Sequence, residues 1–155
     1  MTPPFDAPLY AYARHGDQAT NNPRRHKVVI VGAGPVELAL AVDLAKKGVE
    51  TLVLDDNDKV SIGSRAICFS KRTLEIADRL GFGQALIDKG VQWNLGKVFF
   101  EDRKVYEFNL QAEDGHRRPA FINLQQYYVE RALVERARAL QQLGAPLDLR
   151  GGNKV

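Results

Sequence analysis

The glycines at positions 32 and 34 combine residue type and position in a way that predicts an anion site. Gly32, Ala33 and Gly34 follow the apolar run Val28–Val31 and are followed by Pro35. A strand that turns directly into a helix aims free backbone N–H groups and the positive end of the helix dipole at one point. The first glycine permits the tight turn, and the second lets the backbone approach a phosphate without a Cβ in the way. The turn therefore predicts a site for a pyrophosphate.

Asp55 is the acidic residue expected to complete this site. It follows a second apolar run, Thr51–Leu54, and lies about 20 residues after Gly32, the separation typical of an acid that binds ribose hydroxyls. Its charge would repel a 2′-phosphate, which disfavours NADP. The alternative is that Asp55, like Asp56 and Asp58, is only a turn residue. The combination of strand, glycines, helix and acid favours dinucleotide binding.

Glu37 departs from this pattern. It stands where the third glycine of the G-x-G-x-x-G fingerprint normally allows close packing between helix and strand. A carboxylate in the first helical turn suits the helix dipole, but it competes with pyrophosphate for the same positive end. At a separation of about 6 Å the repulsion corresponds to roughly one to two orders of magnitude in affinity. We therefore expect Glu37 to weaken cofactor binding.

The elements that must position these residues form an α/β pattern. Residues 27–54 are expected to form one βαβ unit, because two short β-branched runs flank a helix with apolar residues at helical spacing, ending near Gly48. Ser70 is a suitable N-cap for a helix that runs to about Leu80 and ends at Gly81. Residues 55–70 show neither a helical nor a strand period.

The later part of the chain predicts a hairpin, a helix and a strand. Residues 97–100 and 105–108 flank a short charged turn and predict a β-hairpin. Residues 125–142 carry apolar residues at helical spacing, and residues 147–149 are expected to form a third parallel strand. The expected fold is thus α/β, a Rossmann-like domain with an incomplete parallel sheet and a β-hairpin insertion.

The amino-acid composition limits which kinds of binding partner and bound metal this chain is expected to have. The net charge is +3, and 22 basic residues are interleaved with 19 acidic ones, which favours a solvated surface over a nucleic-acid interface. Cys68 is the only cysteine, so it forms neither an intramolecular disulfide nor a cysteine-based zinc site. The three histidines are scattered, and we expect no metal.

The N-terminus lacks a signal-peptide pattern and no stretch is long enough to span a membrane, so we expect a cytoplasmic protein.

The domain organisation follows from the same patterns. Residues 1–26 are rich in proline and polar residues without a sustained period, which predicts an extended N-terminal arm. Regular structure begins at Lys27, and a chain of this length is expected to form one core. Residues 27–155 are therefore assigned to one nucleotide-binding region.

These residues resemble the N-terminal portion of the flavin-dependent aromatic hydroxylases, the para-hydroxybenzoate hydroxylase family, nearest to hydroxyphenylpropionate and phenol hydroxylases. Besides the glycines and Asp55, the resemblance rests on residues 63–66 (Gly-Ser-Arg-Ala), on residues 70–75 (Ser-Lys-Arg-Thr-Leu-Glu) and on Gln126 near the start of a helix. It covers residues 27 to about 150.

The resemblance implies FAD as the cofactor and extends the list of site residues. In this family an arginine in the long loop, here Arg65, reaches toward the pyrophosphate and ribose, and a glutamine at the start of a helix, here Gln126, contacts the cofactor. The implied site is Gly32, Gly34, Pro35, Asp55, Arg65 and Gln126.

The resemblance also implies an activity for the complete enzyme. That activity is hydroxylation of a phenolic aromatic substrate, with NADH or NADPH as the reductant. Family enzymes are several hundred residues long, so the substrate-covering portion is expected to be absent from these residues. We expect little turnover by this chain alone, and no residue is nominated as a catalytic acid or base.

Two other interpretations account for the same residues. The chain could be a truncated, non-catalytic remnant that binds no cofactor and self-associates as a homo-oligomer through its unfinished sheet edge. It could also be an NAD-binding module, for which the glycines and Asp55 serve equally well, whereas Arg65 and Gln126 would be coincidences. Binding of FAD, of NAD or of neither discriminates among the three.

Overall fold

A computed structural model describes residues 9–61 and 65–155, and two compact units divide the chain. One unit contains the residues before position 65 together with Gln126–Val155. The second unit consists of Arg65–Gln125. The division falls within the range 27–155 that sequence assigned to one region. None of the helices in the described ranges has both the length and the apolar character needed to cross a bilayer.

A parallel sheet of three strands forms the centre of the first unit. Its strands are β1 (Val28–Val31), β2 (Thr51–Leu54) and β8 (Leu147–Arg150), in the order β1-β2-β8. The register pairs Val31 with Leu54 and Leu54 with Arg150, so the three strands end at the same edge. Short β-branched and leucine-rich runs form these strands. The central strand β2 is buried, as expected for a parallel strand, whereas Val29 and Val31 of the edge strand β1 are exposed. The predicted α/β class, the βαβ unit and the third parallel strand are confirmed.

Two helices pack against each other and contact this sheet. The helix α1 (Pro35–Lys46) connects β1 to β2, and α4 (Gln126–Gln142) precedes β8. Gly48 has a φ of 70°, the left-handed conformation that ends a helix, so the predicted stop is confirmed. The largest fully buried side chains of this core are apolar with two exceptions, Thr51 and Glu130; the apolar ones are Leu38, Val42, Val53, Leu133 and Val134.

The described part of the N-terminal arm packs against the rest of the first unit. A short 3-10 helix spans Gly16–Ala19. Tyr10 is 7% exposed, and its hydroxyl donates a hydrogen bond to the Lys59 carbonyl at 2.8 Å. Asp17 accepts a hydrogen bond from Arg150 at 2.8 Å and one from the Arg24 N–H at 3.1 Å, and these bonds are the main causes that lower the pKa of its carboxyl to about 2. The arm is thereby attached near the ends of the parallel strands.

The second unit is built on an antiparallel sheet and two helices. Its sheet has the order β3-β7-β4, with β3 (Cys68–Ser70), β4 (Val91–Trp93) and β7 (Phe121–Asn123). The helices are α2 (Lys71–Leu80) and α3 (Gly83–Lys89). The buried Arg118 guanidinium donates to Asp78 on α2 and to Gln84 on α3, which ties the two helices together and lowers the pKa of Asp78.

Two predicted elements of this unit are confirmed. Ser70 is the N-cap of α2 and accepts a hydrogen bond from the Thr73 N–H, and Gly81 ends the helix with a φ of 94°. The hairpin consists of β5 (Leu95–Phe100) and β6 (Arg103–Asn109), paired antiparallel with a bulge after Val98. Its strands are longer than the sequence pattern indicates.

Candidate nucleotide-binding site

The glycine turn lies between the end of β1 and the start of α1. Gly32 has a φ of 104°, a conformation that side chains rarely adopt, and its N–H donates to the Leu54 carbonyl at 2.7 Å. Gly34 is the N-cap of α1 and Pro35 occupies its first turn, where a missing N–H costs nothing. The turn is thus fixed to β2 and directs the N-terminus of α1 toward the edge where the strands end.

Asp55 lies at this edge, next to the glycine turn. Its Oδ2 accepts a hydrogen bond from the Ala33 N–H at 2.5 Å, and its Oδ1 accepts one from the Asn57 N–H at 2.7 Å. Asp55 is half-buried, and these two hydrogen bonds hold its carboxylate in one orientation. Each oxygen keeps a second lone pair, so the group can still accept hydrogen bonds from ribose hydroxyls.

A cavity of about 260 Å³ opens at the same edge. Gly32 and Asp55 both line it, and Asp56 and Lys154 contribute charged side chains. The remaining lining residues are Val31, Leu54, Asn153 and Val155. A concave space beside a glycine turn and an oriented carboxylate suits the ADP part of a dinucleotide.

The Glu37 side chain extends over the glycine turn. A Cβ built on Gly34 would lie 2.8 Å from Glu37 Oε2, and a Cβ built on Gly32 would lie 3.4 Å from Glu37 Cγ. The carboxylate therefore lies on the face of the turn that the second glycine leaves open for a phosphate. The glycines and Asp55 fit the ADP part of FAD, but the Glu37 carboxylate must move before a phosphate can take that position.

Gln126 lies in the first unit and Arg65 in the second. Gln126 is the first residue of α4, and its Nε2 donates to Glu130 Oε1 at 2.7 Å. Arg65 is exposed and follows residues 62–64, which lie outside the described residues and include Gly63 and Ser64 of the resembling segment. The structure thus brings Gly32, Gly34, Pro35 and Asp55 together at one edge, whereas the cofactor contacts of Arg65 and Gln126 stay predictions.

Glu130 is a residue of this region that the sequence analysis did not single out. Its side chain is 1% exposed, and it accepts hydrogen bonds from the Ser61 N–H at 2.7 Å and the Ser61 hydroxyl at 2.9 Å. The buried carboxylate thereby fixes the start of the long loop to α4. Its position among the apolar residues of the helix, three before Leu133, is the sequence signal that could have revealed it.

Burial and nearby negative charges also change the pKa of the Tyr10 hydroxyl. Burial, followed by the negative charges of Asp55 and Glu130, raises the pKa of the Tyr10 phenol, which therefore stays protonated and keeps its bond to the Lys59 carbonyl. No three residues among His, Cys, Asp and Glu in the described ranges are placed to hold a metal ion. The glycine turn and the Asp55 carboxylate are groups of the kind that can recognise a nucleotide.

Comparison with known families identifies this architecture. The family described as FAD binding domain matches residues 25–145. The rifampicin monooxygenase of Rhodococcus hoagii is 30% identical over 128 residues, which are 83% of this chain and 25% of the relative. The para-nitrophenol 4-monooxygenase of Pseudomonas sp. (strain WBC-3) is 38% identical over 64 residues, 41% of this chain and 16% of that relative.

A solved structure supports the same assignment. The p-nitrophenol 4-monooxygenase of Pseudomonas putida DLL-E4 matches with a TM-score of 0.72 and 27% identity, over 82% of this chain and 32% of that chain. The chain thus spans about a quarter of the length of the rifampicin monooxygenase and about a third of the solved p-nitrophenol 4-monooxygenase. The resemblance found in the sequence is confirmed: this chain belongs to the FAD-binding domain family, and its homologues are flavin-dependent aromatic monooxygenases.

Proposed function

We propose that this chain binds the ADP part of FAD in a monooxygenase that uses NADH or NADPH to hydroxylate a phenolic aromatic substrate. One observation carries the proposal. Asp55, whose carboxylate is bonded to the Ala33 N–H, and Gly32 of the glycine turn line one cavity at the end of the parallel strands. The relatives named for action on nitrophenol support the aromatic substrate class.

Each site residue has a separate role in this proposal. The turn at Gly32 and Gly34, with Pro35 opening α1, receives the pyrophosphate, and Asp55 accepts hydrogen bonds from the ribose hydroxyls. Arg65 contributes a guanidinium to the pyrophosphate, and Gln126 contacts the cofactor from the start of α4. Glu130 holds Gln126 and Ser61 and so acts as a positioning residue.

FAD, when bound, supplies the redox chemistry of such an enzyme, and the protein supplies binding and orientation. We assign no catalytic acid or base to this chain. Asp55 and Glu130 accept hydrogen bonds that fix the turn and the start of the long loop. The aromatic substrate and the reductant would bind to the complete enzyme. The 155-residue chain by itself is expected to bind FAD with little or no hydroxylation.

The proposal is tested by titrating the purified chain with FAD and, separately, with NAD by calorimetry, after recording its visible spectrum. We expect FAD to bind at one site per chain. Tight NAD binding without FAD binding would support the NAD-binding module instead. Binding of neither nucleotide, to this chain or to E37G, would contradict the proposed function.

A further inference from the structure

We propose that the Glu37 carboxylate occupies the phosphate position of the glycine turn and competes there with the pyrophosphate of FAD. The inference rests on the proposed function, because it names the same site. The inference concerns how tightly the site binds FAD and not which ligand the site recognises. Glu37 thereby acts as a built-in anion that lowers the affinity of this chain for its cofactor.

The geometry places the carboxylate on the phosphate-facing side of the turn. A phosphate approaches the second glycine in the space that a Cβ would otherwise fill. In this chain Glu37 Oε2 lies 2.8 Å from that Cβ position at Gly34, and the Glu37 Cγ lies 3.4 Å from the equivalent position at Gly32. A phosphate oxygen and the carboxylate oxygen cannot both occupy this space.

Electrostatics explains why the side chain lies there. Glu37 is in the first turn of a twelve-residue helix, where the helix dipole and the free N–H groups attract a negative charge. The same attraction makes the position suitable for pyrophosphate, so the two anions compete for one set of partners. Glu37 is half-buried and its end is flexible, so it can rotate away. Competition should therefore weaken FAD binding without abolishing it.

The test compares the wild-type chain with E37Q and E37G. E37Q keeps the length of the side chain and removes its charge, whereas E37G also empties the space over the turn. Asp43→Asn is the matched control, because it removes a carboxylate from the same helix, one that pairs with Lys47 away from the turn. FAD affinity is measured by quenching of flavin fluorescence, and inorganic pyrophosphate affinity by calorimetry. Circular dichroism verifies that each variant is folded.

We expect E37G to bind FAD about 10- to 100-fold more tightly than wild type, E37Q to show an intermediate gain, and D43N to show none. Pyrophosphate affinity should rise in the same order. Equal affinities of wild type, E37Q and E37G for both ligands would overturn the inference and leave the proposed function intact. Conversely, a rise in pyrophosphate affinity with no FAD binding by any variant would support the competition and contradict the proposed function.

Discussion

Asp55 accepts hydrogen bonds from the Ala33 and Asn57 backbone N–H groups, so its oxygens are oriented before a ligand binds. The residue type and its position after β2 were readable from the sequence. Its bond to Ala33 was not, because that bond depends on the register between β1 and β2. At the scale of single residues, the sequence predicts which groups recognise the nucleotide, and the structure adds how they are held.

Replacing Asp55 with Asn should weaken FAD binding. The amide keeps one oxygen, which can still accept the Ala33 N–H, but it loses the charge and the second acceptor that the ribose hydroxyls need. We expect FAD affinity to fall about 10- to 100-fold, as for loss of hydrogen bonds to a charged group. Calorimetric titration measures the effect.

Glu50→Gln is the matched control for Asp55→Asn. Glu50 lies immediately before β2, at the opposite end of the strand from Asp55, and pairs with Arg24 on the surface. Its loss should leave FAD affinity unchanged. An equal fall in both variants would show that the effect is not local to the site.

Arg65 is the residue whose role rests on the family resemblance. Replacing it with Ala should lower the affinity for FAD and for pyrophosphate about 10- to 100-fold, because a guanidinium bonded to a phosphate is a charge-assisted pair. Arg72 is a suitable control, since it is also an exposed arginine of the second unit and pairs only with Glu75 in the described hydrogen bonds. If R65A and R72A bind FAD alike, Arg65 has no role in the site.

Among the helices and strands, the sequence predicted those that have a long run of regularly spaced apolar residues or a recognisable N-cap. The helix α1, the helix α4 and the N-cap at Ser70 have these signals. The strands β3, β4 and β7 have only three residues each, and β7 pairs with both of the others from distant positions in the chain. Three residues carry too little periodicity to predict a strand.

Glu130 connects two elements, and its replacement should loosen the long loop. In E130Q the amide NH2 faces donors, the Ser61 N–H or the Gln126 side chain, so a buried hydrogen bond is lost. We expect a destabilisation of about 1–3 kcal/mol in chemical denaturation. Amide hydrogen exchange at Ser61 should also accelerate.

Glu135→Gln on the same helix is the control, because Glu135 is exposed and pairs with Arg131 on the surface. It should change stability by less than about 0.5 kcal/mol. Equal stabilities of the E130Q and E135Q variants would contradict the anchoring role of Glu130.

At the scale of the whole molecule, β1 pairs with β2 on one side only within the described residues. Val29 and Val31 are 50% and 60% exposed on this strand. An apolar strand with unpaired backbone groups is a site for pairing with another chain. We therefore propose that two copies of the 155-residue chain, taken by itself, associate through β1.

Val31→Lys tests this association. A charge on the edge strand should oppose pairing, so sedimentation of V31K should show a monomer at concentrations where wild type forms a dimer. The Leu143→Lys variant places the same charge on a residue that is 80% exposed after α4 and should dimerise like wild type. Wild-type protein that is monomeric at high concentration would contradict the association.

NMR spectroscopy can show where FAD binds on the chain. Amide spectra of the 15N-labelled chain, recorded by NMR with and without FAD, report which backbone groups the cofactor approaches. We predict the largest shifts at Gly32, Ala33, Gly34 and Asp55, because Gly32 and Asp55 line the cavity and Ala33 and Gly34 belong to the same turn. Saturating FAD that leaves these amides unchanged, or that shifts a separate group of residues instead, would contradict the account.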